Sequence, residues 1–204
     1  MTTDVLIVGG GPAGLSAALV LGRCHRRVLL CDDGKPRNRA SHAIHGLLGQ
    51  EGVPPSAFLE VARNELEKYP GVEMRATRVL ELTPAADGFN FKCENGTHGT
   101  ATKILLATGI VDELPPLVGV EALYGTSVHH CLYCDGFEYK GQPVAAYGKD
   151  DKGADLAVMM KHWIEDVVVC TDNWNVHNKP AFCRPSCRPY IKHICQRRFP
   201  AFYV

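Results

Sequence analysis

Residues 4–17 read DVLIVGGGPAGLSA, and this stretch limits the fold more than any other. The apolar, β-branched run at 4–8 predicts a strand, and LSAALVLGR predicts a helix. Between them Gly9, Gly10, Gly11, Pro12, Ala13 and Gly14 make a turn that is almost bare of side chains. In such a unit Gly9 permits the tight turn, Gly11 lets the backbone approach a pyrophosphate, and Gly14 lets helix and strand pack closely. The helix N-terminus meanwhile faces the negative charge. A second strand, RVLLCD, ends in Asp32, about twenty residues past the glycines, where a carboxylate can take a ribose hydroxyl pair. An acid there suits an adenosine ribose without a 2′-phosphate. A turn that served only to reverse the chain would leave the Asp32 spacing unexplained, but the fingerprint alone does not separate FAD from NAD.

The chain has 204 residues, 46% hydrophobic and 22% charged, enough for one good core or two modest ones. MTTDVLIVGG has no basic n-region and too short an apolar run to span a bilayer, so a cytoplasmic protein without a membrane anchor is expected. Nine cysteines is an odd count. In a reducing compartment most should be buried thiols, the expectation for Cys24, Cys31, Cys93 and Cys170. Net charge is zero, yet from Asn175 onward there are six Lys or Arg and no acid. An acidic body thus carries a basic tail.

After Asp32 a loop-like segment leads into helical spacing from Pro55 to Tyr69. The segments GVEMRATRVLELTPA and GFNFKCENGTHGTATKILLATG alternate as strands do, with turns at Ala86-Asp87-Gly88 and Glu94-Asn95-Gly96, and predict an antiparallel meander. The meander ends in the buried-looking run ILLATG, residues 104–109.

HHCLYCDGFE, residues 129–138, places Cys131 and Cys134 three positions apart. Zinc needs four ligands, adjacent His129 and His130 rarely point at one metal, and no second well-spaced pair lies nearby, so no metal is expected. A purely structural disulfide is disfavoured by the compartment and by the tiny loop it would close. A redox couple is the strongest of the three readings. Two sulfurs at a turn or helix start interconvert between dithiol and disulfide with little backbone motion, and a positive potential lowers a thiol pKa. Asp135 can move the proton that such chemistry requires, or merely cap the following turn; His130 and His129 can assist deprotonation, or serve as ordinary turn histidines.

Further on, PVAAYG, the turn Gly148-Lys149-Asp150-Asp151-Lys152-Gly153, ADLAVMMKHW and VVVCTD form a second strand, turn, helix and strand. Two carboxylates would repel a pyrophosphate, offset only in part by Lys149 and Lys152.

The glycine turn, the acid closing strand two, ILLATG and the CxxCDG together resemble, in order and spacing over roughly residues 4–174, the thioredoxin reductase-like FAD-dependent oxidoreductases. The resemblance implies an α/β fold: a Rossmann-like FAD-binding domain at 1–112 with an inserted antiparallel meander, then an incomplete second Rossmann-like, NAD(P)-type domain at 113–174 carrying the CxxC. It assigns FAD to Gly9, Gly11, Pro12, Ala13, Gly14 and Asp32, with Arg37, Asn38, His45, Gly49, Thr108 and Gly109 as further contacts. It implies that Cys134 contacts the flavin and Cys131 is the interchange thiol, and that the protein is a homodimer. NADPH-using members have a glycine-rich second turn and arginines after the next strand. This chain has neither, so weak or absent NADPH binding is expected. With HCLYCDG followed by FEYKGQ, the sequence is most similar to the fungal gliotoxin-type dithiol oxidases of secondary metabolism. In those, a small-molecule dithiol reduces the CxxC, the pair reduces FAD, and oxygen accepts the electrons. An NADPH-dependent disulfide reductase is the alternative enzyme.

Beyond about Trp174 the resemblance stops. Residues 175–204 hold four prolines, three cysteines and six basic residues without periodicity, and predict an irregular tail. Cys183, Cys187, His193 and Cys195 fit no common zinc knuckle, and charge alone does not make a nucleic-acid arm. Family members continue further, so a C-terminally truncated chain is expected, with 143–174 only marginally stable because one βαβ unit leaves sheet edges bare. An inactive fragment is therefore a third reading.

Overall fold

A computed structural model describes residues 2–149, 152–170 and 201–204. The chain divides into two compact units: residues 1–39 with 53–112, and residues 40–52 with 113–204. Residues 40–52, which the sequence reading included in the first domain, group instead with the second unit.

The first unit is built on a six-stranded sheet in the order β3-β2-β1-β6-β5-β4. Its strands are β1 (Thr2–Val8), β2 (Val28–Asp32), β3 (Val72–Ala76), β4 (Val79–Ala85), β5 (Gly88–Cys93) and β6 (His98–Leu106). β1, β2, β3 and β6 pair in parallel, and β4, β5 and β6 antiparallel. The meander is therefore these last three strands alone. GVEMRA, grouped with it by alternation, instead extends the parallel sheet beside β2, because residues 28–32 offer it a straight register from Val28–Val72 to Asp32–Ala76.

β1 and β2 read as apolar runs because both faces are covered. Ile7 and Leu30 pack with Leu15 and Ala18 of α1 (Pro12–Arg23) and Leu59 and Leu66 of α2 (Pro55–Leu66). Leu6, Leu29 and Cys31 pack on the other face with Phe91, Cys93 and Ala101 of the meander. Each fully buried leucine or isoleucine contributes about 1.5–3 kcal/mol. Helix α2 stops at Leu66 rather than Tyr69. Pro70 pushes Tyr69 out of helical backbone, and the last turn tightens to Glu67 N donating to Asn64 O and Tyr69 N donating to Leu66 O.

The second unit has a four-stranded parallel sheet in the order β7-β10-β8-β9: β7 (Val128–His129), β8 (Val144–Tyr147), β9 (Val167–Cys170) and β10 (Ala201–Tyr203). Helices α3 (Val120–Leu123), α4 (Leu132–Asp135) and α5 (Lys152–Met160) complete it. β8 is buried throughout, and its residues pack with Met160, Ile164, Val167, Ala201 and Tyr203. Here the expectation of an irregular tail fails at residues 201–203. They carry too few residues to show a period, but Ala201 and Tyr203 are fully buried, and the strand fills the place between β7 and β8. β8 is consequently not a bare edge.

Candidate active site

In the first unit the glycine turn is held by contacts that only glycine permits. Gly9 has φ 107°, and a Cβ on it would lie 2.3 Å from the Ala107 carbonyl oxygen, just after β6. A Cβ on Gly14 would lie 1.9 Å from the Gly9 carbonyl oxygen, whereas one on Gly11 would meet nothing within 4 Å. That open space sits at the N-cap of α1, where no side chain caps the helix and no acid occupies the first turn. Its amide donors and partial positive charge thus face outward, with Pro12 and Ala13 exposed. This is a cradle of the size and sign that a pyrophosphate requires.

Asp32 sits beside it. Its Oδ1 accepts the Gly10 amide at 3.0 Å and its Oδ2 faces Arg63 at 3.4 Å, so the acid fixes the turn as well as being available to a ribose. Arg37, in the same unit, donates two hydrogen bonds to Asp112, Nε at 2.8 Å and Nη2 at 2.5 Å, a partner not foreseen in the sequence. Asn38 is exposed in the loop after β2, and Thr108 and Gly109 are exposed after β6, with Gly109 at φ 65°.

In the second unit Cys131 and Cys134 are joined as a disulfide, their Cα atoms 5.3 Å apart. Cys131 is the N-cap of α4, and the amides of Cys134 and Asp135 donate to its carbonyl. Cys134 is exposed and Cys131 half-buried, so the bond is open to an external partner. With α4 only one turn long, the helix dipole offers a thiolate little, and the side chains around Asp135 matter more.

Those side chains form a connected set. Tyr139 donates its one hydroxyl proton to the Thr126 carbonyl at 3.0 Å, so its oxygen accepts from His129 Nε2–H at 3.0 Å. His129 Nδ1 then faces Asp135 Oδ2 at 3.4 Å. Two lone pairs would oppose each other there unless a proton lies between them, on the imidazole or on the carboxyl. Burial, with the Asp135 and Glu138 carboxylates, pushes the Tyr139 phenol up and keeps it a donor. His129 is 5% exposed. His130, the histidine singled out in the sequence, instead bonds the Tyr124 hydroxyl through Nδ1 at 2.7 Å and stacks on that ring. The structure thus brings His129, rather than His130, against Asp135.

His45 and Gly49, expected among the FAD contacts of the first domain, lie in the second unit. His45 Nδ1 bonds Glu51 at 2.7 Å, and its Nε2 is 3.7 Å from Glu138, three residues past the disulfide turn. Gly49, at φ 82°, lies in that same loop. In the second unit Gly148 N donates to Cys170 O, as Gly9 N donates to Cys31 O in the first, and a Cβ on Gly148 would lie 2.2 Å from the Gly153 amide. Asp150 and Asp151, on which the expected repulsion of a pyrophosphate rests, lie outside the described residues, as do Cys183, Cys187, His193 and Cys195. Among the described residues no group of three or more His, Cys, Asp or Glu is arranged to hold a metal, and no helix is long and apolar enough to cross a membrane.

Residues 3–182 match the family described as pyridine nucleotide-disulphide oxidoreductase. Thioredoxin reductase tcpT of Claviceps purpurea is 37% identical over 145 residues, 68% of this chain and 44% of its own length. Thioredoxin reductase aclD of Aspergillus oryzae is 34% identical over 191 residues, 90% of this chain and 60% of its own. The crystal structure of an oxidoreductase from Agrobacterium tumefaciens is 36% identical with a TM-score of 0.79, covering 83% of this chain and 57% of that one. The chain therefore spans about half the length of the relatives it matches.

Proposed function

Because this chain belongs to the pyridine nucleotide-disulphide oxidoreductase family, we propose that it is an FAD-dependent thiol/disulfide oxidoreductase that converts a small-molecule dithiol to a disulfide with oxygen as acceptor. The observation that carries this reading is the accessible Cys131–Cys134 disulfide with the Asp135–His129 pair beside it. FAD is held by Gly9, Gly11, Pro12, Ala13, Gly14 and Asp32, with Arg37, Asn38, Thr108 and Gly109 as further contacts of the same unit. His45 and Gly49, which the resemblance also names, belong to the second unit. A fungal secondary-metabolite dithiol is the proposed substrate class, and a cytoplasmic homodimer the proposed setting.

One substrate thiolate attacks Cys131 Sγ, and the Cys131–Cys134 bond breaks with Cys134 leaving as thiolate. The second substrate thiolate attacks the mixed disulfide, releasing Cys131 and closing the substrate disulfide. The substrate loses two electrons to the pair, and its two protons pass to bases of the site or to solvent. Asp135, with the proton shared at His129 Nδ1, serves as donor and acceptor for the cysteine sulfurs. What FAD supplies when bound is a two-electron relay from the dithiol pair to oxygen, which leaves as hydrogen peroxide.

A second reading, NADPH-dependent disulfide reduction, draws support from Gly148, whose amide donates to Cys170 O as that of Gly9 donates to Cys31 O, and from its close approach to Gly153. Anaerobic titration of the yellow protein separates the two. Bleaching of the flavin by a small dithiol but not by stoichiometric NADPH supports dithiol oxidation, and the reverse supports the reductase. Cys134→Ser should abolish turnover and keep the colour. A purified wild-type chain that is folded, colourless and unable to take up FAD would refute both readings.

A further inference from the structure

We propose that Tyr203 is a positioning residue of the disulfide site, fixing His129 against Asp135 from the strand β10; this rests on the redox reading above. β10 runs in parallel between β7 and β8, with Tyr203 in register with His129 on one side and Ala146 on the other. The Val204 amide donates to the His129 carbonyl at 2.9 Å. The Tyr203 ring lies 5.4 Å from the His129 imidazole, and the Tyr139 ring 5.3 Å from it. The two tyrosine rings meet edge-on at 6.5 Å. His129 is therefore held through its backbone and its ring by the same short strand.

The packing is costly in one respect. The Tyr203 hydroxyl is the one buried side-chain polar atom among the described residues without a hydrogen-bond partner. A phenylalanine would supply the same ring without leaving a buried hydroxyl unpaired. Tyr203 thus acts on His129 through its ring. Without it the imidazole loses one wall, and the Nδ1–Oδ2 approach of 3.4 Å, already long, loses its support. Proton transfer by Asp135 to and from the cysteine sulfurs then slows. The groups around His129 are Asp135, Tyr139 and Tyr203, with Glu138 acting on both tyrosines and His45 paired to Glu138.

The test follows the rate of Cys131–Cys134 reduction by dithiothreitol from pH 5 to 9, read by quenched alkylation and mass spectrometry; it needs no flavin. Tyr203→Phe should superimpose on the wild type. Tyr203→Leu should slow reduction about tenfold and move the inflection of the pH profile. In a His129→Gln background the same change should add nothing, since the residue it positions is gone. A Tyr203→Leu profile that superimposes on the wild type, a Tyr203→Phe profile displaced as far as that of Tyr203→Leu, or an undiminished Tyr203→Leu effect in the His129→Gln background would each overturn the inference. Circular dichroism checks that each variant is folded, and if Tyr203→Leu is not, Tyr203→Trp takes its place under the same criteria. Wild-type protein that never oxidises a dithiol or bleaches its flavin would sink the functional reading instead, leaving this exchange experiment intact.

Discussion

Alanine at Gly14 and at Gly11 should have opposite consequences, although the two lie three residues apart in one turn. At Gly14 the new Cβ would stand 1.9 Å from the Gly9 carbonyl oxygen and 3.3 Å from Ile7 Cγ2. Backbone must retreat by about 1 Å, and close-packed interiors resist this. Overpacking of this kind costs about 2–3 kcal/mol, a fall in melting temperature on the order of 4–10 °C for a chain of this length. At Gly11 the φ of −75° is ordinary for alanine and the Cβ meets nothing. Alanine is a poorer N-cap than glycine by about 0.5–1 kcal/mol, but it removes about 0.4–1 kcal/mol of unfolded-chain entropy, so stability should barely change. What Gly11→Ala does obstruct is the approach of a pyrophosphate to the bare backbone, which should weaken FAD at least about tenfold, ~1.4 kcal/mol. Thermal unfolding of flavin-free protein and titration with FAD by flavin fluorescence measure the two effects separately. Gly11→Ala protein that binds FAD within twofold of the wild type, or Gly14→Ala protein with an unchanged melting temperature, would refute the cradle argument.

Three further outcomes follow from titratable groups and thiols. Burial, and then Cys93 with its sulfur 3.9 Å away, pushes the Cys31 thiol up to about 12. Above its ordinary value the unfolded chain has lost a proton that the folded chain keeps, so stability should fall as pH rises toward about 12. Cys31→Ala should flatten that decline in urea unfolding at pH 8 and pH 10, and an identical loss in both proteins would refute it. The Glu51 hydrogen bond holds His45 above its ordinary value, so this pair's stabilisation is complete below the unfolded value and lost as pH rises through the folded one. Glu51→Gln should bring the His45 imidazole titration down in NMR spectra; an unmoved titration would count against the pairing. Of the free cysteines at 24, 31, 93 and 170, Ellman's reagent should label exposed Cys24 first, with Cys31 and Cys93 reacting only on unfolding, as peptide mapping would show.

The cradle was legible because everything that defines it is local: a strand, three glycines and a helix within about twenty residues, and an acid one strand further on. Cys131 and Cys134 were legible for the same reason, since a three-residue spacing within one turn is a geometric statement in itself. The choice between His129 and His130 was not. His129 ends β7 and His130 follows it, and which of the two is turned inward depends on the strand packed beside β7. That strand is β10, more than seventy residues away, and its three residues carry no readable period. Residues 40–52 were misplaced because no local pattern announces their grouping: His45 meets Glu138 across some ninety positions. The Arg37–Asp112 pair was not foreseen either, its partners lying 75 positions apart.

The two glycine turns bring out what separates the competing functions. They share two contacts: the first glycine of each donates to the carbonyl of a cysteine in the next strand, Cys31 in one and Cys170 in the other, and the first and last glycines approach closely. These shared contacts do not choose between a first nucleotide site alone and a pair of them. The side chains do. The residue after Cys31 is Asp32, which takes the Gly10 amide and disfavours a 2′-phosphate; the residue after Cys170 is Thr171, which carries no charge. Thr171 brings no carboxylate, but the arginines that NADPH-using members carry after this strand are missing as well, and in the turn Asp150 and Asp151 oppose a pyrophosphate that Lys149 and Lys152 attract. On the function proposed above, the choice between dithiol oxidation and NADPH-dependent reduction rests on this balance of charges in the sequence from Gly148 to Gly153.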